Sequence, residues 1–148
     1  MGKLEEILEQ SQDRVQPICG VKRCGGCNLL HLAYEAQLKY KTKYVKSCFE
    51  RIAKLDAKVL DCNPSPMQLG YRNKCAFPVG KGGVGFFTPR SHDIVDIDGC
   101  PIQCDEINEV FALVKNIVKD VSYYDEATKE GILRHIIVRK VTSGVGVI

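Results

Sequence analysis

The sequence predicts an α+β fold: a mainly antiparallel sheet, two long amphipathic helices and a cysteine-rich N-terminal loop. Apolar residues recur at helical spacing over 34–53 and again over 105–121, which predicts the two helices. Apolar and polar residues alternate over 71–79, which is typical of a strand with one buried face. A shorter helical pattern over 3–10 predicts a further short helix.

The remaining strands are short and are separated by turn residues. A strand is predicted at 58–62, where Pro64 and Pro66 end it. Pro78 indicates that the 71–79 strand lies at an edge or ends there. Further strands are predicted at VGFF, IVDI, ILRHIIVRK and GVGVI, the last two joined by a turn at Ser143 and Gly144. The last hairpin stops abruptly, so we expect the sequence to be cut at this point.

A glycine pattern in the middle of the chain imitates a nucleotide-binding motif. Gly80, Gly82 and Gly85 satisfy G-x-G-x-x-G. That motif binds a dinucleotide only where it opens a helix, whose N-terminus receives the pyrophosphate. Here Phe86, Phe87 and then Pro89 follow, which is a strand pattern. We therefore predict a hairpin loop.

Cysteine spacing is the most informative chemical feature of the chain. Cys19, Cys24 and Cys27 lie within nine residues on a glycine-rich loop, and Cys100 precedes Pro101 much later. Three local thiolates and one remote Cys-Pro suit an iron–sulfur cluster, and a thiolate zinc site has the same ligand count. Disulfides are less favoured, because no export signal precedes the loop. A redox dithiol is less favoured, because CGGC does not end a strand in a βαβ pattern. Inert thiols are the remaining alternative.

The other four cysteines have plainer interpretations. Cys104 is the substitute candidate for Cys100 as a metal ligand. Cys48, Cys62 and Cys75 lie inside periodic segments, which favours a role as small buried apolar residues. No apolar run is long enough to suggest a membrane span, so we expect a cytoplasmic protein without a membrane partner.

Positive charge is concentrated rather than large. The net charge is only +3, but no Asp or Glu occurs from Asn63 to His92. A solvated surface is the simplest explanation, and contact with RNA phosphates is the alternative. The candidate RNA-binding residues are Arg72, Lys74, Arg90, His92, Arg134 and Arg139. For His92, as for His135, a local hydrogen bond is the simpler expectation.

Five blocks of sequence resemble the RNA 5-methyluridine methyltransferases, which methylate carbon 5 of uracil using S-adenosylmethionine. The blocks are SQDRVQPIC, CGGCNLLHLAYEAQLKYK, SPMQLGYRNK, GFFTPRSHDIVDIDGCPIQ and GILRHIIVRK. They occur in the order and at the spacings of that family, over about residues 10–140. The resemblance implies that Cys19, Cys24, Cys27 and Cys100 hold a 4Fe-4S cluster. Here four residues separate the first two cysteines, whereas the family usually has five.

The resemblance also implies that the chain is a truncated central domain of a longer enzyme. Residues 1–18 correspond to the end of a missing N-terminal β-barrel, and 19–148 to the cluster-bearing domain, cut before the methyltransferase domain. Uracil methylation needs a nucleophilic thiolate, a methyl donor and a base held together. All three belong to the missing domain, so we expect no catalytic residue and no S-adenosylmethionine site in this chain.

Three function classes follow from the sequence. The first is the cluster-bearing, RNA-contacting segment of an RNA (uracil-5-)-methyltransferase, for which ribosomal RNA is favoured over transfer RNA. The second is a zinc-stapled RNA-binding module. The third is a stand-alone iron–sulfur electron carrier, although such carriers usually have a compact cysteine run and an acidic docking surface, which this sequence lacks.

Overall fold

The computed structural model describes residues 12–148, which fall into two compact units. One unit combines Asn28–Pro66 with the segment that ends at Ile18, and the other combines Cys19–Cys27 with Met67–Ile148. The helix predicted at 3–10 lies outside the described residues. None of the helices within 12–148 is long and apolar enough to cross a membrane. The domain boundary at residue 18 and the missing flanking domains stay predictions.

The first unit is built on one long helix. Helix α1 covers Tyr34–Ser47 and continues as a π-helical turn over Cys48–Ala53, so the helix predicted at 34–53 is confirmed. The turn ends where Lys54 adopts a left-handed backbone (φ 56°) and the N–H of Leu55 donates to the Phe49 carbonyl at 3.0 Å. The predicted apolar side of this helix stays partly exposed; Ile52, for example, is 79% exposed.

The strand predicted at 58–62 is wrong. Residues 54–65 have no regular secondary structure. Their backbone instead donates to side chains of α1: the N–H of Cys62 to Thr42 Oγ1 at 2.9 Å, and that of Ser65 to the Tyr34 hydroxyl at 2.6 Å. These hydrogen bonds to side chains take the place of bonds to a neighbouring strand. The spacing of apolar residues in the sequence does not reveal them.

The second unit contains an antiparallel sheet that confirms the predicted fold class. Its five strands follow the order β3-β2-β1-β4-β5 within the described residues. They are β1 Lys74–Gly80, β2 Gly83–Phe87, β3 Ile94–Asp96, β4 His135–Val141 and β5 Gly144–Val147. Burial alternates at the start of β1, where Cys75 and Phe77 are buried while Lys74 and Ala76 are exposed.

Pro78 lies in the central strand, which corrects its predicted position at an edge or strand end. The N–H of Val79 donates to the Arg134 carbonyl at 2.9 Å, on the β4 side. Because successive backbone groups of a strand point in opposite directions, the Pro78 nitrogen faces β2. The pairing of β1 with β2 covers only Val79 with Val84 and Gly80 with Gly83. The missing N–H of Pro78 therefore falls just beyond that ladder.

The glycine pattern forms a hairpin, as predicted. Lys81 and Gly82 make the turn between β1 and β2, and Gly83 adopts φ 109°. A Cβ atom on Gly85 would lie 1.9 Å from the Val95 carbonyl oxygen of β3, so only glycine permits this close strand approach. No helix follows the motif, and strand β2 takes its place.

The core lies between the sheet and helix α2, which covers Asp105–Ile117. This helix is shorter than the predicted 105–121, because the backbone leaves the helical conformation at Val118. The ring of Phe111 on α2 stacks on Phe77 of β1 with centroids 3.9 Å apart, and Phe86 lies 5.6 Å from Phe77. Ile107, Ile136 and Val138 belong to the same buried cluster. Aromatic stacking therefore joins the helix to the middle of the sheet.

Two lysines tie α2 to the strands around it. Lys115 donates to Asp96 Oδ2 at 2.8 Å and to the Ile97 carbonyl at 2.7 Å, which attaches the helix to β3. Lys140 of β4 hydrogen-bonds to Glu106 in the first turn of α2. This hydrogen bond lowers the pKa of Glu106 and raises that of Lys140, because it favours the charged form of each group.

The aromatic stack predicts a large stability difference between two positions of α2. Phe111→Ala removes a fully buried ring, so we expect the free energy of unfolding to fall by about 3–5 kcal/mol. Leu113→Ala on the same helix is the matched control: Leu113 is 60% exposed, and its replacement should change stability by about 0.5 kcal/mol or less. Urea unfolding measures both. Equal losses for the two variants would contradict this description of the core.

Candidate metal centre and nucleic-acid interface

The CGGC loop is attached to strand β2 by its backbone. The N–H of Gly25 donates to the Phe87 carbonyl at 3.0 Å. A Cβ atom on Gly25 would lie 2.5 Å from that same oxygen, and one on Gly26 would lie 2.7 Å from the Phe86 ring. Both glycines are therefore required by close approach to the strand. They hold Cys24 and Cys27, which flank them, beside the sheet.

The backbone of Cys100 is held by helix α2. Its N–H donates to Asn108 Oδ1 at 2.9 Å, and its carbonyl accepts from Asn108 Nδ2 at 3.2 Å. The same carbonyl accepts from the N–H of Gln103 at 3.0 Å, which closes a turn. One asparagine side chain thus fixes this cysteine from both sides. Nothing in the sequence pattern indicated Asn108 for this role.

The Cys100 thiol is influenced electrostatically by two of the other three predicted ligands. Burial raises the pKa of the Cys100 thiol, and the nearby sulfur atoms of Cys24 and Cys19 raise it further because thiolates repel one another. A hydrogen bond from the Ile102 N–H and the positive charge of Arg72 act in the opposite direction. Cys19, Cys24 and Cys100, all free thiols, therefore interact electrostatically although up to 81 residues separate them. Cys27 follows in the same loop and is partly buried.

The arrangement of the thiols differs from that around a single bound metal ion. Within residues 12–148, no three His, Cys, Asp or Glu side chains are grouped as the ligands of one metal ion would be. A tetrahedral zinc ion would draw its sulfur ligands to about 3.8 Å from one another, whereas a 4Fe-4S cluster binds each thiolate through a different iron. The donor chemistry fits a cluster, since backbone N–H groups serve two of the sulfurs. Gly26 donates to Cys24 Sγ at 3.4 Å, and Ile102 donates to Cys100.

Gln103 is buried beside this region without hydrogen-bond partners for its amide. The residue is 1% exposed, and neither Nε2 nor Oε1 has a partner at normal distance among the described residues. The amide lies against the Cys75 thiol, a weak hydrogen-bonding group. Gln103 also pairs with Arg72 in a parallel β-bridge. Sequence reasoning missed Gln103, because one glutamine after a Cys-Pro-Ile run carries no recognisable pattern.

The remaining cysteines differ in burial. Cys75 is 5% exposed, which confirms its interpretation as a buried apolar residue, and burial raises the pKa of its thiol. Cys48 and Cys62 are only partly buried. Cys104 precedes α2, packs partly against the core, and hydrogen-bonds through its thiol to the Glu106 carboxylate.

Two predicted RNA-binding residues lie directly opposite each other on neighbouring strands. Lys74 of β1 is directly opposite Arg139 of β4, and both side chains are exposed. Neither has an acidic partner within residues 12–148. Like charges directly opposite each other destabilise a sheet, so this arrangement suits an anionic ligand. His135 lies on the same face of β4, four residues before Arg139.

The other predicted contacts lie on loops. Arg90, with φ 62°, is exposed in the turn that joins β2 to β3, and the Thr88 N–H closes this turn on the Asp93 carbonyl at 2.8 Å. The His92 ring stands edge-on to Phe87, with centroids 5.6 Å apart. Arg134 stacks its guanidinium over the Tyr124 ring, 3.5 Å from the centroid. These residues stay predictions as RNA contacts, and so does half-buried Arg72, which interacts electrostatically with Cys75 and Cys100.

The chain is similar in sequence and in structure to RNA methyltransferases. No protein-family model matches it. An uncharacterized RNA methyltransferase of Clostridium acetobutylicum is 42% identical over 95% of the chain, and one of Staphylococcus aureus is 45% identical over 94%. The chain spans only 33% of the length of either relative. The crystal structure of the Pyrococcus abyssi tRNA (uracil-54, C5)-methyltransferase with S-adenosyl-L-homocysteine matches 93% of the chain, at a TM-score of 0.68 and 33% identity, over 32% of its own length.

Proposed function

We propose that this chain, which belongs to the RNA methyltransferase family over the third of those proteins that it spans, is the RNA-contacting, cluster-bearing segment of an RNA (uracil-5-)-methyltransferase. The observation that carries the proposal is the 42–45% identity to uncharacterized RNA methyltransferases over nearly the whole chain. Specificity for carbon 5 of uracil is supported by the archaeal structure, whose enzyme modifies uracil 54 of transfer RNA. The whole protein acts with its RNA in the cytoplasm.

The chemistry of uracil methylation assigns a supporting role to this segment. A thiolate must add to the uracil ring before carbon 5 can attack the methyl group, and a base must then remove the remaining proton. We assign these groups and S-adenosylmethionine to the part of the enzyme outside this chain; the archaeal enzyme was solved with the demethylated product of that cofactor. This segment holds the RNA while the target base is extruded from its stack.

Cys19, Cys24, Cys27 and Cys100 are the residues proposed to hold a 4Fe-4S cluster. Support comes from the electrostatic proximity of Cys100 to Cys24 and Cys19 and from the N–H groups directed at two of the sulfurs. When bound, such a group crosslinks its ligands and can exchange one electron. Its crosslink would join the loop on β2 to the turn before α2, which restricts the unfolded chain much as a disulfide does.

The proposed cluster predicts the metal content of the purified chain. Anaerobically prepared protein should contain iron and acid-labile sulfide in equal amounts and absorb broadly in the visible range. Cys100→Ser should lose most of both, because the ligand from the second segment is gone. Cys62→Ser is the matched control and should keep them. Zinc without sulfide would instead support the zinc-stapled module, and iron retained by Cys100→Ser would contradict the ligand assignment.

The cationic pair predicts the salt dependence of RNA binding. Lys74→Glu places an acid beside Arg139. For a single-stranded, uridine-containing RNA, the negative slope of log K against log salt should become less steep by about 0.7 or more. Lys119→Glu, an exposed change of the same charge, is the control and should leave the slope nearly unchanged. Filter binding over a salt series measures both.

We propose ribosomal RNA as the target. A ribosomal RNA fragment should therefore bind more tightly than a transfer RNA arm of equal length. Equal slopes for Lys74→Glu and the control would remove this face from the proposal, and preference for the transfer RNA arm would reverse the choice of target.

A further inference from the structure

We propose that Gln103 and Arg72 are positioning residues of the iron–sulfur centre, with the Gln103 amide donating a hydrogen bond to its sulfur atoms and the Arg72 guanidinium balancing its negative charge. The inference rests on the proposed cluster and extends it to two side chains that are not ligands. Both residues lie in the same unit as all four candidate cysteines.

The buried amide of Gln103 is the first observation. The Gln103 side chain is 1% exposed and lies against the Cys75 thiol, but neither atom of its amide has a hydrogen-bond partner at normal distance among the described residues. A polar group buried in this way destabilises the fold. The turn that contains Gln103 begins at Cys100, since the Gln103 N–H donates to the Cys100 carbonyl at 3.0 Å. Sulfur atoms of a centre anchored at Cys100 would supply the missing acceptor. A buried polar group is thereby explained by a ligand bound beside it.

The backbone that holds Arg72 is the second observation. The N–H of Arg72 donates to the Ile102 carbonyl at 2.8 Å, and its carbonyl accepts from the Cys104 N–H at 3.1 Å. Arg72 is thereby fixed alongside the turn that begins at Cys100. Its half-buried guanidinium interacts electrostatically with Cys100 and with Cys75. A cluster bound by four thiolates carries net negative charge, and burying that charge is costly without a nearby cation.

The two neighbouring cations then have separate roles. Arg72 is half-buried and hydrogen-bonds to the Cys75 thiol, whereas Lys74, two residues later, is exposed opposite Arg139. Arg72 therefore leaves the set of phosphate contacts predicted from the sequence and joins the centre. The pair offers a matched comparison, because both changes remove one positive charge within three residues of chain.

Gln103→Met tests the inference in the whole chain, both in the metal-free form and with the iron–sulfur centre bound. Methionine matches the size of glutamine but has no amide, so the metal-free variant should unfold at the same or a higher urea concentration than wild type. The loaded variant should have a lower reduction potential, because hydrogen bonds to sulfur favour the reduced state. A tenfold change in the relative stability of the two oxidation states corresponds to about 59 mV for one electron.

Arg72→Met is the second variant and Lys74→Met its control. Arg72→Met should also lower the potential and release iron several-fold faster in air, whereas Lys74→Met should match wild type in both. Loaded variants of Gln103 and Arg72 with the wild-type potential would overturn the inference and leave the cluster intact. Wild-type protein without iron and sulfide would overturn the proposed cluster and this inference with it. A metal-free Gln103→Met that is less stable than wild type, with unchanged potential when loaded, would assign Gln103 to the fold alone.

Discussion

The close contact between the CGGC loop and strand β2 is the constraint on which the site depends. A backbone hydrogen bond from Gly25 to Phe87 holds the loop where no side chain would fit between loop and strand. Phe86, against which Gly26 lies, is also part of the aromatic core. The core that stabilises the fold therefore also fixes the position of the loop cysteines. Asn108 does the same for Cys100 from helix α2.

Periodicity predicted the elements whose burial follows a simple repeat. Strand β4 and helix α2 each bury regularly spaced apolar residues, so both elements can be predicted from a single sequence. The segment 58–62 has a strand-like composition, but the N–H of Cys62 donates to the Thr42 side chain, and this depends on tertiary structure. Pro78 was misplaced because its central position is tolerated only where the β1–β2 ladder ends.

The candidate site could be predicted only in part for a related reason. Cysteine spacing indicates which thiols can converge, and Cys19 and Cys24 lie near enough to raise the pKa of the Cys100 thiol. Residues that surround a centre leave no such signal, because a glutamine or an arginine has many ordinary uses. Gln103 becomes informative only when its burial and lack of partners are known. Arg72 stays a predicted RNA contact, and nothing in the sequence indicated that its side chain hydrogen-bonds to the Cys75 thiol.

Convergence of two distant segments on one metal–sulfur centre is the central claim, and cysteine labelling tests it most directly. The iron-loaded chain and the same chain after removal of iron would be treated with limiting alkylating reagent, and each cysteine quantified by mass spectrometry. The account predicts that Cys19, Cys24, Cys27 and Cys100 are protected together and regain reactivity together, while Cys62 labels equally in both forms. Protection confined to the CGGC loop, with Cys100 labelled at the same rate in both forms, would contradict it.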